Sequence, residues 1–213
     1  MKYLSILLLC TGIITNVYAI NNITTTETIV IMRHGEKSIS TPKNGQLNCQ
    51  GFNRSLALTD TLYNLFDKKK PDYIFAPSPE ANFKKDNFYY IRPIITIEPT
   101  AIKYDLQINL TYSTNTSEQL GQYLNDNKFA DKLIYVSWEH HCIPKVAAGI
   151  FLNTGFYYQG PSDWMNENDF DTLYVVKIKR TNNTISNVSF EQKLENLNNL
   201  STKCKFSKIK LKN

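Results

Sequence analysis

The sequence predicts one α/β domain built on a three-layer, mainly parallel sheet with helices on both faces. Short runs of apolar and β-branched residues alternate with segments of helical apolar spacing, which is typical of strands joined by crossover helices. The strand-like runs are apolar throughout rather than alternating, as expected of strands that are covered on both faces. The chain has 213 residues, which suffices for one full core and is short for two domains.

The amino-terminal half supplies a strand, a helix and a second strand. An apolar, β-branched run at 28–32 predicts the first strand, and the polar residues 20–27 before it indicate a loose leader. The apolar spacing over 51–66 predicts a helix, which Pro71 closes. A second short strand is predicted at 72–76.

The second half continues the alternation and ends in a hairpin and a polar, basic tail. Pro93 is compatible with a helix that starts at residue 92, because proline is tolerated in a first turn. Asn182 and Asn183 mark the turn of the hairpin. The predicted elements are, in chain order, a helix at 92–102, a strand at 106–110, a helix at 117–127, a strand at 133–138, a helix at 143–152 and hairpin strands at 173–179 and 185–190.

Residues 1–19 have the pattern of a secretory signal peptide. A positive residue is followed by an apolar run at 4–14, and Val17 and Ala19 stand at the −3 and −1 positions of a cleavage site. The run is shorter than the roughly 20 apolar residues that a membrane span needs, which disfavours an uncleaved anchor. We therefore expect cleavage after Ala19, a secreted or periplasmic protein and a single domain over 20–213.

The charge pattern argues against a nucleic-acid partner. The formal net charge is +5, and the lysines are dispersed apart from 68–70 and a basic tail at 203–212. Runs of that kind are usually solvated faces, although a mild positive charge attracts anionic substrates. No stretch after the signal segment is apolar enough to predict a membrane span, so we expect neither nucleic-acid binding nor stable membrane insertion.

Three cysteines remain once the signal segment is removed, at Cys49, Cys142 and Cys204. In an oxidising compartment two of them can pair and one stays free, and the sequence does not choose the pair. No spacing suits a zinc site, because the chain has neither Cys-x-x-Cys nor His-x-x-x-His. We therefore predict no metal and no cofactor.

The three histidines are placed where ligands bind in an open α/β sheet. His34 follows the first predicted strand closely, and His140 and His141 follow the strand at 133–138. Ligands in such sheets bind beyond the carboxyl ends of the strands, where side chains from neighbouring strands converge. We therefore expect the histidines to lie in one crevice.

Histidine and arginine side chains at such a crevice suit phosphoryl transfer. A neutral imidazole is a good nucleophile near pH 7, and its attack on a phosphoryl group gives a phosphohistidine that water cleaves. The transferred group spreads charge over three oxygens and needs cationic partners. Arg33 adjoins His34, and Arg92 opens the helix after the second strand. Each arginine can direct two N–H donors at two phosphate oxygens.

Three segments carry a resemblance to a known family. Residues 29–36, Ile-Val-Ile-Met-Arg-His-Gly-Glu, resemble the Arg-His-Gly signature of the histidine phosphatase superfamily, which includes phosphoglycerate mutases, acid phosphatases and phytases. Ser78-Pro79 and residues 92–96 resemble the part of those enzymes that supplies a second arginine. Residues 136–141 resemble the part that supplies a second histidine. The resemblance implies a doubly wound α/β fold without a large cap domain.

The resemblance also implies a role for each matched residue. It implies that His34 is the nucleophile that becomes phosphorylated. It implies that Arg33, Arg92 and His140 bind the phosphoryl group. Typical members keep the serine and the arginine of the second segment only a few residues apart, whereas an insertion at 80–91 separates them here.

The proton donor departs from the family pattern. Many members use a Glu or Asp to protonate the leaving oxygen. In one branch that acid directly follows the second histidine, where this chain has His141. The candidates here are Glu36, Glu139 and Glu98, in that order.

The sequence therefore predicts an exported phosphatase that hydrolyses phosphomonoesters through a phosphohistidine on His34. Its substrate is expected to be a phosphorylated small molecule or a phosphoprotein. An alternative is a phospholigand-binding protein of the same fold with weak or no turnover, which the missing acid favours. A third hypothesis is a surface interaction protein that uses the basic tail at 203–213. A mutase is disfavoured, because sugar-phosphate metabolism is cytosolic and this chain is predicted to be exported.

Overall fold

The structure is a computed structural model, and it describes residues 22–38, 40, 44–79, 88–164 and 166–204. The predicted signal peptide at 1–19, most of the 80–91 insertion and the tail beyond residue 204 lie outside these ranges. Among the helices of the described ranges, none combines the length and the apolar character needed to cross a membrane.

Strands and helices alternate through most of the chain. The elements are, in chain order, β1 (Thr24–Arg33), α1 (Cys49–Leu65), β2 (Tyr73–Phe75), α2 (Arg92–Tyr104), β3 (Ile108–Asn109), α3 (Ser117–Leu124), β4 (Leu133–Trp138), α4 (Ile143–Phe151), β5 (Thr172–Thr181) and β6 (Thr184–Leu194). Short 3₁₀ turns at Thr114–Thr116, Asn127–Phe129 and His140–Cys142 lead into α3, β4 and α4.

The strands of the described residues form one six-stranded sheet in the order β3-β2-β4-β1-β5-β6. β1 and β4 are parallel, as are β2 with β4 and β2 with β3. β5 runs antiparallel to β1 and to β6, so the hairpin forms one edge. The predicted α/β fold with a mainly parallel sheet is confirmed, and the described residues include no large cap domain.

The central strands bury apolar side chains on both faces of the sheet. In β1, Ile29 and Ile31 point to one face and Val30 and Met32 to the other, and all four are fully buried. α3 and α4 cover the first face, whereas α1 and α2 cover the second. This arrangement explains the unbroken apolar run in the sequence and confirms the three layers.

The start of β1 shows that the prediction of a loose leader at 20–27 was wrong from Thr24 onward. β1 begins at Thr24 and pairs with β5 from that residue onward. Glu27 is buried in this strand and accepts a hydrogen bond from Arg180 Nη1 at 2.6 Å. A polar run that contains an acid is usually interpreted as a loop. Here the acid is buried because a cation from a distant part of the chain pairs with it, and the local sequence does not show that partner.

Other differences concern the ends of elements. α3 stops at Leu124 instead of reaching residue 127, and a separate 3₁₀ turn begins at Asn127. α2 continues to Tyr104 and ends where Asp105 takes the left-handed conformation, with φ 53°. The strand predicted at 106–110 is shorter, and both hairpin strands are longer than predicted.

The described part of the polar segment after β6 is tied to the rest of the fold. Cys204 forms a disulfide with Cys49 at the start of α1. The side-chain amide of Asn53 on α1 donates to the carbonyl oxygens of Ser201 and Lys203, at 2.8 and 2.9 Å. The disulfide and these hydrogen bonds hold the segment against α1.

Arg54 on α1 ties the loop after β1 to the segment after β6. Its guanidinium is fully buried and donates to Glu36 at 2.8 Å, to Glu195 at 2.5 Å and to Asp171 at 3.4 Å. Burial raises the pKa of Glu195 to about 8, although Arg54 opposes that shift. A proton on Glu195 reduces the excess of negative charge when three carboxylates face one guanidinium.

Replacing Arg54 with methionine should destabilise the fold by about 3–5 kcal/mol, because buried carboxylates are left without their cation. Urea unfolding followed by circular dichroism measures the loss. Lys103→Met is the matched control, since Lys103 pairs with Asp60 on the surface and exposed pairs contribute little. Equal losses of stability in the two variants would contradict the role of Arg54 as an anchor.

Candidate active site

The pairing of β1 with β4 brings two of the predicted histidines side by side. The strands pair in parallel as far as Arg33 and Trp138, and the backbone N–H of His34 donates to the Trp138 carbonyl at 3.1 Å. His34 and His140 therefore lie just beyond neighbouring strands at the same edge of the sheet. Both are buried, with exposed fractions of 2% and 6%.

One hydrogen bond decides which nitrogen of His34 is available. Nδ1 lies 2.7 Å from the carbonyl oxygen of Gly35, and a carbonyl can only accept, so Nδ1 carries the proton. Nε2 keeps its lone pair and is the atom that can act as a nucleophile. The Gly35 N–H donates to Thr96 Oγ1 at 2.9 Å, and Thr96 donates to the Arg92 carbonyl at 2.8 Å. These bonds join the loop of His34 to the first turn of α2.

Gly35 and Gly51 allow α1 to pack directly on the same loop. A Cβ atom on Gly35 would lie 2.9 Å from Gly51 Cα, which is inside van der Waals contact. The Asn48 side chain caps α1 by accepting from Gly51 N at 2.9 Å, and the Asn48 backbone N–H donates to the Glu36 carbonyl at 2.8 Å. The loop after β1 is therefore held between α1 and α2.

Arg33 is held by carbonyl oxygens and an aromatic ring. Its Nη1 donates to the carbonyls of Glu167 and Asp169, at 2.6 and 2.7 Å, and its guanidinium carbon lies 3.8 Å from the centre of the Phe170 ring. Burial lowers the pKa of Arg33 to about 10, so the side chain stays charged near neutral pH. Its Nε is buried and meets no acceptor in the described part of the chain, which leaves one N–H for a ligand.

Arg92 and Tyr90 supply a second charge and a buried hydroxyl. The Arg92 guanidinium carbon lies 5.4 Å from the centre of the Tyr90 ring, and Arg92 Nε donates to the Gln46 carbonyl at 3.1 Å. The Tyr90 ring meets the His34 ring edge-on, with 5.5 Å between centres. Burial raises the pKa of Tyr90 well above its usual range, so the hydroxyl keeps its proton.

The electrostatics of the pocket keep His34 neutral. Burial lowers its pKa well below 6.5, and the electrostatic influence of Arg33, Arg92 and His140 lowers it further. The hydrogen bond to Gly35 acts in the opposite direction and is outweighed. Arg33, Arg92 and His140 are therefore near enough to the His34 ring to disfavour its protonated form. A neutral imidazole among cations is suited to attack a phosphoryl group.

The three proton-donor candidates have different surroundings. Glu36 accepts from Arg54 with both carboxylate oxygens, at 2.8 to 3.2 Å, so its charge is committed to that ion pair. Glu98 is exposed on α2. Glu139 is 2% exposed, and its Oε1 lies 3.3 Å from His140 Nδ1. The geometry therefore favours Glu139 over the two other acids.

The electrostatic contacts of Glu139 place its carboxylate among the pocket residues. Its charge acts on the ionisation of both Arg33 and Tyr90. Burial and the neighbouring Glu139 raise the pKa of the free Cys142 thiol to about 11. Cys142 therefore stays protonated and is not a thiolate nucleophile.

Sequence reasoning missed Tyr90 and Phe170, whose rings flank the pocket. Tyr90 stands at the end of the insertion that precedes Arg92, and Phe170 comes from the loop between α4 and β5. Neither residue belongs to a motif. The aromatic content of 12% is the only sequence signal for them, and it gives no positions.

The fold of the chain has counterparts among solved structures. No protein-family model matches the chain, and no curated protein matches its sequence. The chain is similar to a mycobacterial glucosyl-3-phosphoglycerate phosphatase, with a TM-score of 0.50 and 10% identity over 79% of this chain and 98% of that one. At that identity the likeness shows the fold alone, and it confirms the fold that the resemblance to the histidine phosphatase superfamily implies.

Two further solved structures are similar at lower TM-scores. The protein histidine phosphatase SixA in complex with tungstate has a TM-score of 0.47 and 13% identity, covering 79% of this chain and 97% of its own. Phosphoglycerate mutase from Plasmodium falciparum has a TM-score of 0.46 and 15% identity, covering 78% of this chain and 89% of its own.

The imidazole of His34 should stay neutral well below pH 6.5, because burial and the neighbouring cations disfavour its protonated form. NMR of the histidine ring nitrogens across a pH series measures this, and His34→Ala identifies the signal. The urea-unfolded protein gives the reference midpoint, near about 6.5. Since the folded protein binds this proton less tightly than the unfolded chain, protonation of His34 lowers stability as the pH falls below that reference. A His34 midpoint at or above the reference would contradict the desolvated pocket.

Proposed function

We propose that this chain is a phosphatase that hydrolyses phosphomonoesters through a phosphohistidine on His34. The observation that carries the proposal is a buried, neutral imidazole whose Nε2 is left available by the bond between Nδ1 and the Gly35 carbonyl. Arg33, Arg92 and His140 lie close enough to lower its pKa. Arg33 and Arg92 supply the positive charge that a bound phosphoryl group requires, and His140 is the third predicted partner of that group.

In the first step, His34 Nε2 attacks phosphorus, so that the N–P bond forms and the P–O bond to the leaving group breaks. The electron pair goes to the leaving oxygen, which takes a proton that the Glu139 carboxylate relays from the phosphate monoanion of the substrate, and it departs as an alcohol. Arg33 and Arg92 direct N–H donors at the phosphoryl oxygens. Tyr90, which keeps its proton, donates a hydrogen bond to the same group.

In the second step, a water molecule attacks phosphorus and gives a proton to the Glu139 carboxylate while the N–P bond breaks. The electron pair returns to His34 Nε2, and inorganic phosphate leaves. Glu139 passes the proton to the departing phosphate, so the imidazole is neutral, Glu139 is a carboxylate again and the site is ready for another substrate. The scheme uses only side chains of this chain.

The proposed place of action is outside the cytosol. Disulfides persist in oxidising compartments, and the bond between Cys49 and Cys204 crosslinks the described chain. This bond supports the export that residues 1–19 predict. The enzyme would be secreted or periplasmic and would act on a phosphorylated small molecule or a phosphoprotein.

A phospholigand-binding protein with weak turnover is the second candidate. One observation favours it: Glu139 already contacts His140 at 3.3 Å and accepts a hydrogen bond from the Cys142 thiol. Protonating a leaving group requires Glu139 to give up part of those contacts. The two candidates share a phosphate pocket and differ in turnover.

His34→Ala should reduce the hydrolysis of p-nitrophenyl phosphate by at least about 10³-fold, because the nucleophile is removed. Binding of inorganic phosphate, measured by isothermal titration calorimetry, should persist because Arg33, Arg92 and His140 remain. Circular dichroism checks that the variant is folded. Undiminished turnover in the variant would exclude His34 as the nucleophile, whereas a wild type with neither turnover nor a phosphohistidine would favour the binding protein.

Glu139→Gln should slow the hydrolysis of an alkyl phosphate by about 10²–10⁴-fold and that of p-nitrophenyl phosphate much less, because the alkoxide needs a proton as it leaves. The ratio of kcat/KM for the two substrates is the measurement. Glu36→Gln is the matched control and should affect stability through Arg54 without changing that ratio. If the ratio of the two kcat/KM values changed only in Glu36→Gln, Glu36 and not Glu139 would be the proton donor.

A further inference from the structure

Three consecutive residues after β4 form a cluster of metal-binding groups. Glu139, His140 and His141 each present one ligand atom, and the three atoms lie within 4.8 Å of one another. Glu139 Oε1 lies 3.3 Å from His140 Nδ1, and the two histidine rings lie 4.0 Å apart between centres. One carboxylate with two imidazoles is a ligand set found in zinc sites that keep an open position.

Two further carboxylates lie beside His141. Its Nδ1 is 3.3 Å from Asp163 Oδ1, and its Nε2 is 4.0 Å from Glu167 Oε1. A metal-bound imidazole usually donates its second N–H to a carboxylate, which fixes the orientation of the ring. Asp163 is placed to accept that hydrogen bond, which leaves Nε2 of His141 for a metal ion.

The cluster is open to solvent at His141. The side chain of His141 is 39% exposed, whereas those of His140 and Glu139 are 8% and 3% exposed. Tetrahedral zinc with bonds of about 2.0–2.2 Å holds its ligand atoms roughly 3.4 Å apart, so the largest separation in the cluster, at most 4.8 Å, has to shrink by up to about 1.4 Å. Rotation of the half-exposed His141 side chain supplies that contraction and also gives an ion a path from solvent.

We propose that Glu139, His140 and His141 bind one Zn²⁺ ion and that the bound ion inhibits hydrolysis. Imidazole and carboxylate ligands suit zinc, whereas Mg²⁺ and Ca²⁺ prefer oxygen ligands alone. The inhibition rests on the proposed function: the ion takes His140 from the phosphoryl group and Glu139 from proton transfer. The binding of zinc does not depend on that function.

The competing explanation of the cluster is mutual ion pairing. His140 with Glu139, and His141 with Asp163, form contacts that satisfy charge without any ion. In that case Zn²⁺ finds no saturable site. The sequence patterns used to predict zinc sites have ligands separated by two or more residues. Three adjacent ligands do not match such a pattern, so the sequence analysis did not find this cluster.

Isothermal titration of Zn²⁺ into the purified, chelator-treated protein tests the site. We expect one saturable site in the wild type and at least about 10²-fold weaker binding in His141→Ala, because one of three ligands is lost. Asp163→Asn should weaken binding by about 10–100-fold through the orientation of His141. His34→Ala is the matched control, since it removes a histidine outside the cluster and should bind Zn²⁺ as the wild type does.

The outcomes separate the site from the proposed function. Absence of saturable Zn²⁺ binding in the wild type, or equal binding by His141→Ala, overturns the site. Added Zn²⁺ should inhibit hydrolysis of p-nitrophenyl phosphate at the concentrations that fill the site, and Asp163→Asn should require about 10–100-fold more. Binding without inhibition supports the site and overturns its inhibitory role. A wild type that binds Zn²⁺ but shows no turnover when metal-free overturns the phosphatase and supports the site.

Discussion

The parallel pairing of β1 with β4 is the constraint on which the rest of the site depends. Because β1 is apolar on both faces, its own pattern does not select a register with β4 or β5. Polar contacts at its two ends do so instead. Glu27 pairs with Arg180 at the start, and the His34 N–H donates to the Trp138 carbonyl just beyond the end. A strand fixed at both ends places His34, the proposed nucleophile, beside the residues that follow β4.

The guanidinium groups of Arg33 and Arg92 are both buried. Contacts with neighbouring groups offset the free-energy cost of removing these two charges from water. Backbone carbonyls and the ring of Phe170 surround Arg33, and the ring of Tyr90 lies near Arg92. His34 relieves the remaining repulsion by staying neutral, because burial and the arginines lower its pKa. The neutral imidazole is also the nucleophilic form. The electrostatics of the pocket and the chemistry of attack therefore require the same protonation state.

Features that depend on neighbouring residues, such as the bounds of a buried strand or a short motif, could be predicted from the sequence. The unbroken apolar run at 133–138 predicted β4 at its observed bounds, and the Arg-His-Gly triplet after a similar run indicated His34. The start of β1 was mispredicted because burial of Glu27 depends on a partner in β5. Tyr90 and Phe170 escaped because their contacts with the pocket arise only when distant loops fold together. The long-range polar and aromatic contacts could not be predicted, because the periodicity of a sequence does not show which distant residues meet.

The ion cluster on α1 has a consequence for the site as well as for stability. Glu36 lies only two residues after His34, and a free carboxylate there would pair with the pocket arginines and compete with phosphate for them. Arg54 prevents this by engaging both oxygens of Glu36. Glu139 remains as the acid in contact with the pocket, and a proton that it gives to a leaving group can be recovered from water. The proposed reaction needs both features: Glu36 is held away from the arginines, so that they can bind an anion, and Glu139 stays in reach, so that it can transfer protons.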